Sequence, residues 1–188
     1  MSLSGYLLLA LAVVVMFVII LFNRMVALRQ ATKNAFADID VQLKQRTDLV
    51  PNLVETVKGY AAHESSVFEK VTEARAAAMR ATSLAERGQA EGALSGALMN
   101  LMAVAENYPQ LKANENFKQL QDELADLENK IAAARRYFNN AVAEYNTAIQ
   151  QFPAVLLAGT FGFKEAEMFT LGDDRAATSA APKVSFGG

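Results

Sequence analysis

The stretch FKQLQDELADLENKIAAARRYFNNAVAEYNTAIQQF, residues 117–152, decides the fold. Its apolar residues recur at steps that alternate between three and four, so they lie on one stripe of a helix and need a partner helix to cover them. Such a helix would be about 54 Å long. Asn114 is a suitable N-cap, and Pro153 ends the pattern. The predicted seam consists of Phe117, Leu120, Leu124, Leu127, Ile131, Ala134, Phe138, Ala141, Tyr145, Ala148 and Phe152.

Three more helices are predicted between the N-terminus and this seam. The first carries periodic apolar residues from Leu28 to Ala61, and Pro51 inside it predicts a kink. A capping-box pattern at Ser66 opens the second. A turn around Gly88 and Gly92 is predicted before the third, which covers residues 94–105. Short connections make sequential helices antiparallel neighbours, so an elongated antiparallel four-helix bundle is expected.

The N-terminus carries an apolar run of membrane-spanning length. The first 23 residues have no charge, and the run covers the hydrocarbon core of a bilayer, which is about 30 Å thick. A cleaved signal peptide would show a basic start and small residues at its exit, so a retained anchor is predicted. The fold class is therefore all-α, with an N-terminal transmembrane helix before the bundle. Residues chosen to represent the span are Leu3, Leu8, Val14, Phe17, Ile20 and Phe22.

The charges beside this run predict its orientation. Arg24, Arg29 and Lys33 follow the run before the first acidic residue, Asp38, whereas only the terminal amine precedes it. Basic residues favour the cytoplasmic side of a membrane. The expected location is the bacterial inner (cell) membrane, crossed once, with the N-terminus outside and the bundle in the cytoplasm.

A second apolar segment, FPAVLLAGTFGF at residues 152–163, follows the seam helix. It is too short and too glycine-broken to span a bilayer, but the antiparallel order returns it to the membrane. Candidate membrane-proximal residues are Leu156, Leu157, Phe161 and Phe163. The predicted division is an anchor at 1–23, a bundle at 24–152, this apolar segment at 153–169 and a flexible Ala/Ser/Gly tail at 170–188.

Composition argues against most kinds of chemistry. The net charge of −2 gives no polybasic signature for nucleic acid, and the chain has one histidine and no cysteine. Asp38 and Asp40 are two apart on a helix and face different ways. His63 has no second histidine to work with. We therefore predict no catalytic, metal or cofactor-binding residue, no cofactor, and no enzymatic activity.

Arg135, Arg136 and Tyr137 form a local cluster that is unusually polar for the seam helix. The arginines can pair with acidic residues of the first soluble helix across the bundle. Alternatively, the three side chains contact another subunit or a partner. Both interpretations stay open at this point.

Several long stretches resemble the LemA family. They are DVQLKQRTDLVPNLVETVKGYAAHE at residues 40–64, YPQLKANENFKQLQDEL at 108–124, ENKIAAARRYFNNAVAEYN at 128–146 and FPAVLLAGTFGFKEAEMF at 152–169. The resemblance covers residues 22–169 and implies a bacterial-type protein with an N-terminal membrane span and an elongated antiparallel helical bundle. The family has no settled biochemical activity, so it supplies no catalytic residue to carry over.

The anchor, the heptads and the missing catalytic constellation together predict a non-enzymatic, membrane-anchored scaffold. It would act by self-association as a homo-oligomer or by organising envelope proteins, with the lipid bilayer as its first partner. The alternative is a monomeric or small-oligomer adaptor for a membrane protease or another integral membrane protein.

Overall fold

Helices make up most of the chain in the computed structural model, which describes residues 2–171. No strand occurs among these residues, so the predicted all-α class is confirmed. The predicted tail at 170–188 lies outside the described residues, apart from its first two. The helices are α1 (Leu3–Lys58), α2 (Ser65–Arg80), α3 (Leu84–Glu106), α4 (Pro109–Ala113), α5 (Glu115–Gln150) and α6 (Val155–Ala158).

Helix α1 joins the apolar N-terminal run to the first soluble helix without a break, and it remains helical through Pro51. Its first 20 residues are largely exposed within the chain. From Met25 onwards, a buried stripe with steps of three and four residues follows the helix, as expected for a face packed on other helices. The stripe consists of the buried residues Met25, Thr32, Ala35, Ile39, Leu43, Arg46, Val50, Leu53 and Val57, together with the half-buried Leu28.

The chain forms two compact units, and both long helices contribute to each. Among the described residues, the first unit contains residues 2–39 and 134–168, and the second contains residues 40–133 and 169–171. The predicted division at residues 23, 152 and 169 stays a prediction.

In the first unit, α1 and α5 run antiparallel. The rings of Phe36 and Phe138 lie 5.6 Å apart, and those of Phe22 and Phe161 lie 5.1 Å apart, so residues earlier in α1 meet residues later in the chain. The core at this end of the unit buries side chains of α1, α5 and the segment after α5. These are Met25, Tyr145, Ile149, Ala154, Ala158 and Phe163.

In the second unit, hydrogen bonds show how the sequential helices run. The Arg75 Nε donates to the Thr47 carbonyl over 2.9 Å, which pairs α2 with α1. The Tyr108 hydroxyl beyond α3 meets Glu64, and the Asn114 amide donates to the Tyr60 hydroxyl over 3.0 Å. These contacts make α1, α2, α3 and α5 alternate in direction around a shared core. That core includes Val50, Leu53, Val57, Val71, Leu94, Leu98, Leu101, Leu111 and Phe117.

The predicted turn around Gly88 and Gly92 is wrong, because both glycines lie inside α3. The helix begins earlier, at a capping box in which Ser83 accepts from the Glu86 amide and the Glu86 carboxylate accepts from the Ser83 amide. Gly88 has a packing role instead. A Cβ added there would overlap the backbone carbonyl of Thr170, so glycine allows the C-terminal segment to lie directly against α3.

The capping box predicted at Ser66 is also wrong. Helix α2 begins at Ser65, and its N-cap residue, Glu64, makes no side-chain capping bond. The Glu64 carboxylate instead accepts a hydrogen bond from Tyr108. The side chain at the N-terminus of α2 thus makes a tertiary contact and no local capping bond.

The seam of α5 follows its prediction as far as Phe138, and beyond that residue Tyr145 is also buried as predicted. Val142 and Ile149 are buried where Ala141 and Ala148 were predicted, and Phe152 lies beyond the helix and is exposed. A straight helix drifts by about 20° per heptad relative to a strict seven-residue repeat, so the buried positions move towards the C-terminus. The predicted cap is present, because the Asn114 side chain accepts from the Phe117 amide over 3.0 Å.

Gly88→Ala should destabilise the protein by about 1–3 kcal/mol, because the new methyl group forces the backbone near Thr170 away from α3. The matched control is Gly96→Ala in the same helix, where an added Cβ meets nothing within 4 Å. That change should stabilise by up to about 1 kcal/mol through helix propensity. Thermal unfolding of the full chain in lipid discs measures both. Equal effects of the two substitutions would contradict the packing role of Gly88.

Candidate functional site

A corner of the chain follows α5 and packs against the end of the apolar run. We call residues 152–163 the apolar corner. The Phe152–Pro153 peptide bond is cis, and α6 is a single turn closed by a bond from the Phe163 amide to the Ala158 carbonyl. Gly162 has a φ of 72°, a conformation that glycine adopts without strain. The reversal brings the Phe161 and Phe163 rings onto Phe22.

The four predicted membrane-proximal residues divide into two pairs. Leu156 is 67% exposed and Phe161 is also exposed, whereas Leu157 is half-buried and Phe163 is buried in the core with Tyr145. Phe152 was predicted both as the last seam residue and as the first residue of the apolar segment, and its side chain is 80% exposed. The structure thus offers exposed apolar side chains beside Phe22, while their contact with lipid stays a prediction.

The segment after the apolar corner is tied to α5 by polar contacts. The Tyr145 hydroxyl donates to the Lys164 carbonyl over 2.9 Å. The Asn146 amide group both donates to the Ala166 carbonyl and accepts from the Ala166 amide, each over 2.9 Å. Burial raises the pKa of Tyr145 above its usual value, against the opposing effect of Arg29. These bonds keep the apolar corner beside α1.

The six residues chosen to represent the span differ in whether they contact the apolar corner. Leu3, Leu8, Val14, Phe17 and Ile20 are exposed, and Phe22 is the first of the six that packs on the corner. Within residues 2–171, α1 is the one helix that is long and apolar enough to cross a membrane, judged by length and composition. None of its most apolar 18-residue window is buried inside the protein.

A charged cluster lies at the centre of the second unit. Arg46 is 1% exposed, and its guanidinium donates to Ser95 Oγ over 2.8 Å and to Glu128 Oε1 over 2.5 Å. It also forms an ion pair with the buried Glu91. Burial raises the pKa of Glu91 above its ordinary value, although Arg46 opposes this shift. The cluster joins α1, α3 and α5 through one side chain.

A cleft of about 220 Å³ lies beside Glu91. Its charged residues include both signs, and two of them, Arg87 and Asp40, form an ion pair across it. Such a mixture of charges favours neither an anion nor a cation. The charged residues of the cleft are Asp40, Lys44, Asp48, Arg87 and Glu91.

The sequence analysis missed this cluster, although a signal was present. Arg46 stands on the apolar stripe of α1, between Leu43 and Val50 at steps of three and four. Glu91 occupies the corresponding place on the buried stripe of α3, before Leu94. Two opposite charges at core positions of different helices predict a buried ion pair, since an unpaired buried charge is very costly.

The remaining predicted contact residues lie on the surface of α5. Arg135 is half-buried, whereas Arg136 and Tyr137 are exposed. Their role in subunit or partner contact stays a prediction. Among residues 2–171, no group of three or more His, Cys, Asp or Glu side chains is arranged to hold a metal ion.

The apolar helix, the corner packed against it and the helical body define a helical protein of the membrane-associated class. The chain belongs to the LemA family, whose sequence model matches residues 35–186. Its relatives include the magnetosome protein MamQ of Magnetospirillum gryphiswaldense, which is 28% identical over 174 residues. Magnetosome proteins MamQ 1 and MamQ 2 of Paramagnetospirillum magneticum are similar to the same extent. Each alignment covers 79% of this chain and 64% of the relative, so the chain spans less than two thirds of these relatives.

Arg46→Met should destabilise the protein by about 3–5 kcal/mol, because it leaves Glu91 buried without its partner. The double variant with Glu91→Leu should recover most of this loss. Lys44→Ala, which removes an exposed partner of Asp48, should cost only about 0.3–0.5 kcal/mol. Denaturant unfolding of the full chain measures all three variants.

The loss in Arg46→Met should also depend on pH. Without Arg46, the pKa of Glu91 rises further, so protonation of Glu91 relieves the penalty as the pH falls. A loss that is independent of pH and is not recovered by Glu91→Leu would contradict an ion-pair role for Arg46.

Leu156→Trp should report whether the apolar corner meets lipid, since the chain has no natural tryptophan. In liposomes, its emission should shift to the blue and be quenched by brominated lipid, as expected for tryptophan at the interface. Met99→Trp is the matched control, because Met99 is 72% exposed on α3 of the second unit. Identical emission and quenching of the two variants would argue against lipid contact at the corner.

Proposed function

We propose that this protein is a non-enzymatic scaffold of a bacterial membrane, which is anchored by α1 and acts by self-association or by organising other envelope proteins. The observation that carries the proposal is the unburied apolar run of α1 with the apolar corner packed at its end. An exposed apolar helix and an apolar segment beside its end would together hold a helical domain at the surface of a bilayer. The polar centre at Arg46 joins three helices through a buried guanidinium, which supports a structural role.

The names of the relatives are consistent with a membrane-associated protein that is not an enzyme. Their names associate them with the magnetosome and state no reaction. Self-association fits an anchored protein, because coupling many anchors raises the effective concentration of weak contacts on neighbouring chains. A role in organising a membrane or its proteins would use such avidity directly.

The orientation is also part of the proposal. The basic residues after the apolar run support a cytoplasmic body and an outside N-terminus in the cell membrane. Because the chain has no cysteine, a single cysteine introduced at the exposed Ser66 reports on the body. Its modification by an impermeant thiol reagent in intact cells would contradict this orientation.

The mass and shape of the full chain extracted in mild detergent test self-association. Light scattering and electron microscopy of the same fraction should show a large, uniform assembly. Arg136→Glu should reduce its mass if the exposed cluster on α5 is a subunit contact. Lys118→Glu is the control, since it makes the same change in charge at another exposed position of α5.

A monomer or small species in several detergents and in lipid discs would contradict self-association. It would favour the adaptor for a membrane protease or another integral membrane protein. Proximity labelling in cells would then identify the partner, and the lack of any reproducible membrane partner would count against the adaptor as well.

A further inference from the structure

A small recess lies where the apolar run of α1 ends. It measures about 80 Å³ and is formed within the first unit by the last apolar turns of α1 and by the turn after α5. Its position is defined by Leu21 on one side and by the start of the apolar corner on the other. The recess residues used below are Leu21, Arg24, Gln151 and Phe152.

Two hydrogen-bond donors line the recess and have no partner within the described part of the chain. The Arg24 guanidinium and the Gln151 amide are both exposed, and neither side chain makes a hydrogen bond or ion pair among residues 2–171. A guanidinium and a primary amide both donate to phosphate oxygens, and the guanidinium does so with charge assistance.

The charge around the recess has one sign. No acidic residue occurs before Asp38, and residues 145–163 carry no charge at all. The nearest acids along the second wall are Glu144 and Glu165, and Glu165 accepts a hydrogen bond from the Gln150 side chain over 3.0 Å. Arg24 therefore meets no acidic side chain in the recess, and the site favours an anion over a zwitterion.

Apolar surface continues directly from the recess. Phe152 both lines it and is 80% exposed. Leu21 lies in the last turn of the run that covers the hydrocarbon core, so Arg24 comes one turn later, at the depth of the lipid headgroups. A ligand here meets cationic and amide donors next to apolar side chains.

We propose that this recess binds the headgroup phosphate of an anionic glycerophospholipid. Arg24 and Gln151 donate hydrogen bonds to the phosphate oxygens, and Phe152 lies against the lipid's acyl chains. The proposal rests on the membrane anchoring in the proposed function, and it adds a lipid class and the residues that select it. It requires no self-association.

Native mass spectrometry of the full chain in detergent tests the site, with added dimyristoyl phosphatidylglycerol or phosphatidylcholine as the probe. The wild-type chain should retain phosphatidylglycerol in preference to phosphatidylcholine. Arg24→Gln should weaken phosphatidylglycerol binding by about fivefold, the effect expected for one basic residue at a membrane surface. Lys33→Gln removes the same charge from the same helix outside the recess and should leave binding unchanged.

Equal losses in Arg24→Gln and Lys33→Gln would overturn the recess as the site and indicate a diffuse charge effect. Equal retention of the two lipids would overturn the preference for an anion. Displacement of the lipid by glycerol 3-phosphate at similar concentration would make the free phosphate ester, not a lipid, the ligand.

The same spectra report the number of subunits. A monomer whose phosphatidylglycerol binding depends on Arg24 would contradict self-association while supporting the lipid site. An oligomer with no Arg24-dependent lipid would contradict the lipid site while supporting self-association.

Discussion

The structure depends on one helix, α1, whose surface changes in character along its length. Along its first 20 residues, α1 exposes apolar side chains around its whole circumference, which is stable only where the surroundings are apolar. From Met25 to Val57 the same helix buries the stripe described above, with Thr47 and Leu49 also buried, and exposes polar residues elsewhere. No glycine or proline lies at the change, so the helix crosses it without a break.

The apolar corner packs on α1 at the residue where the apolar run ends. Phe22 is the last large residue of the apolar run, and the Phe161 and Phe163 rings pack on it edge to face. The polar contacts of Tyr145 and Asn146 with the following segment satisfy backbone groups that an irregular chain would otherwise leave unpaired. A non-helical segment can therefore lie beside α1 without the cost of unpaired backbone groups.

The buried ion pair performs a different task in the second unit. An apolar residue at position 46 would pack against any neighbouring stripe, but a buried arginine needs acceptors from particular helices. Arg46 finds them in Glu91 and Ser95 of α3 and in Glu128 of α5. Replacing such a cluster with apolar residues is often neutral for stability, so we interpret its benefit as selecting which helices meet, and in which register. This interpretation places the most polar residues of the core in a structural role.

The sequence by itself determined the all-α class, the apolar run, the long seam up to Phe138 and the cap at Asn114, because these depend on periodicity and on contacts within a few residues. The start of α3 depends on a local signal that the prediction missed, the capping box of Ser83 and Glu86. Tertiary structure decided the role of Gly88, which is explained by the backbone of Thr170, far along the chain. It also decided which apolar residues of the corner are exposed, because Leu156 and Leu157 are neighbours that differ only in what they pack against. The pairing of Arg46 with Glu91 and Glu128 was likewise decided by tertiary structure. A local pattern can mark a charged residue on an apolar stripe, but only the packing of distant helices supplies its partners.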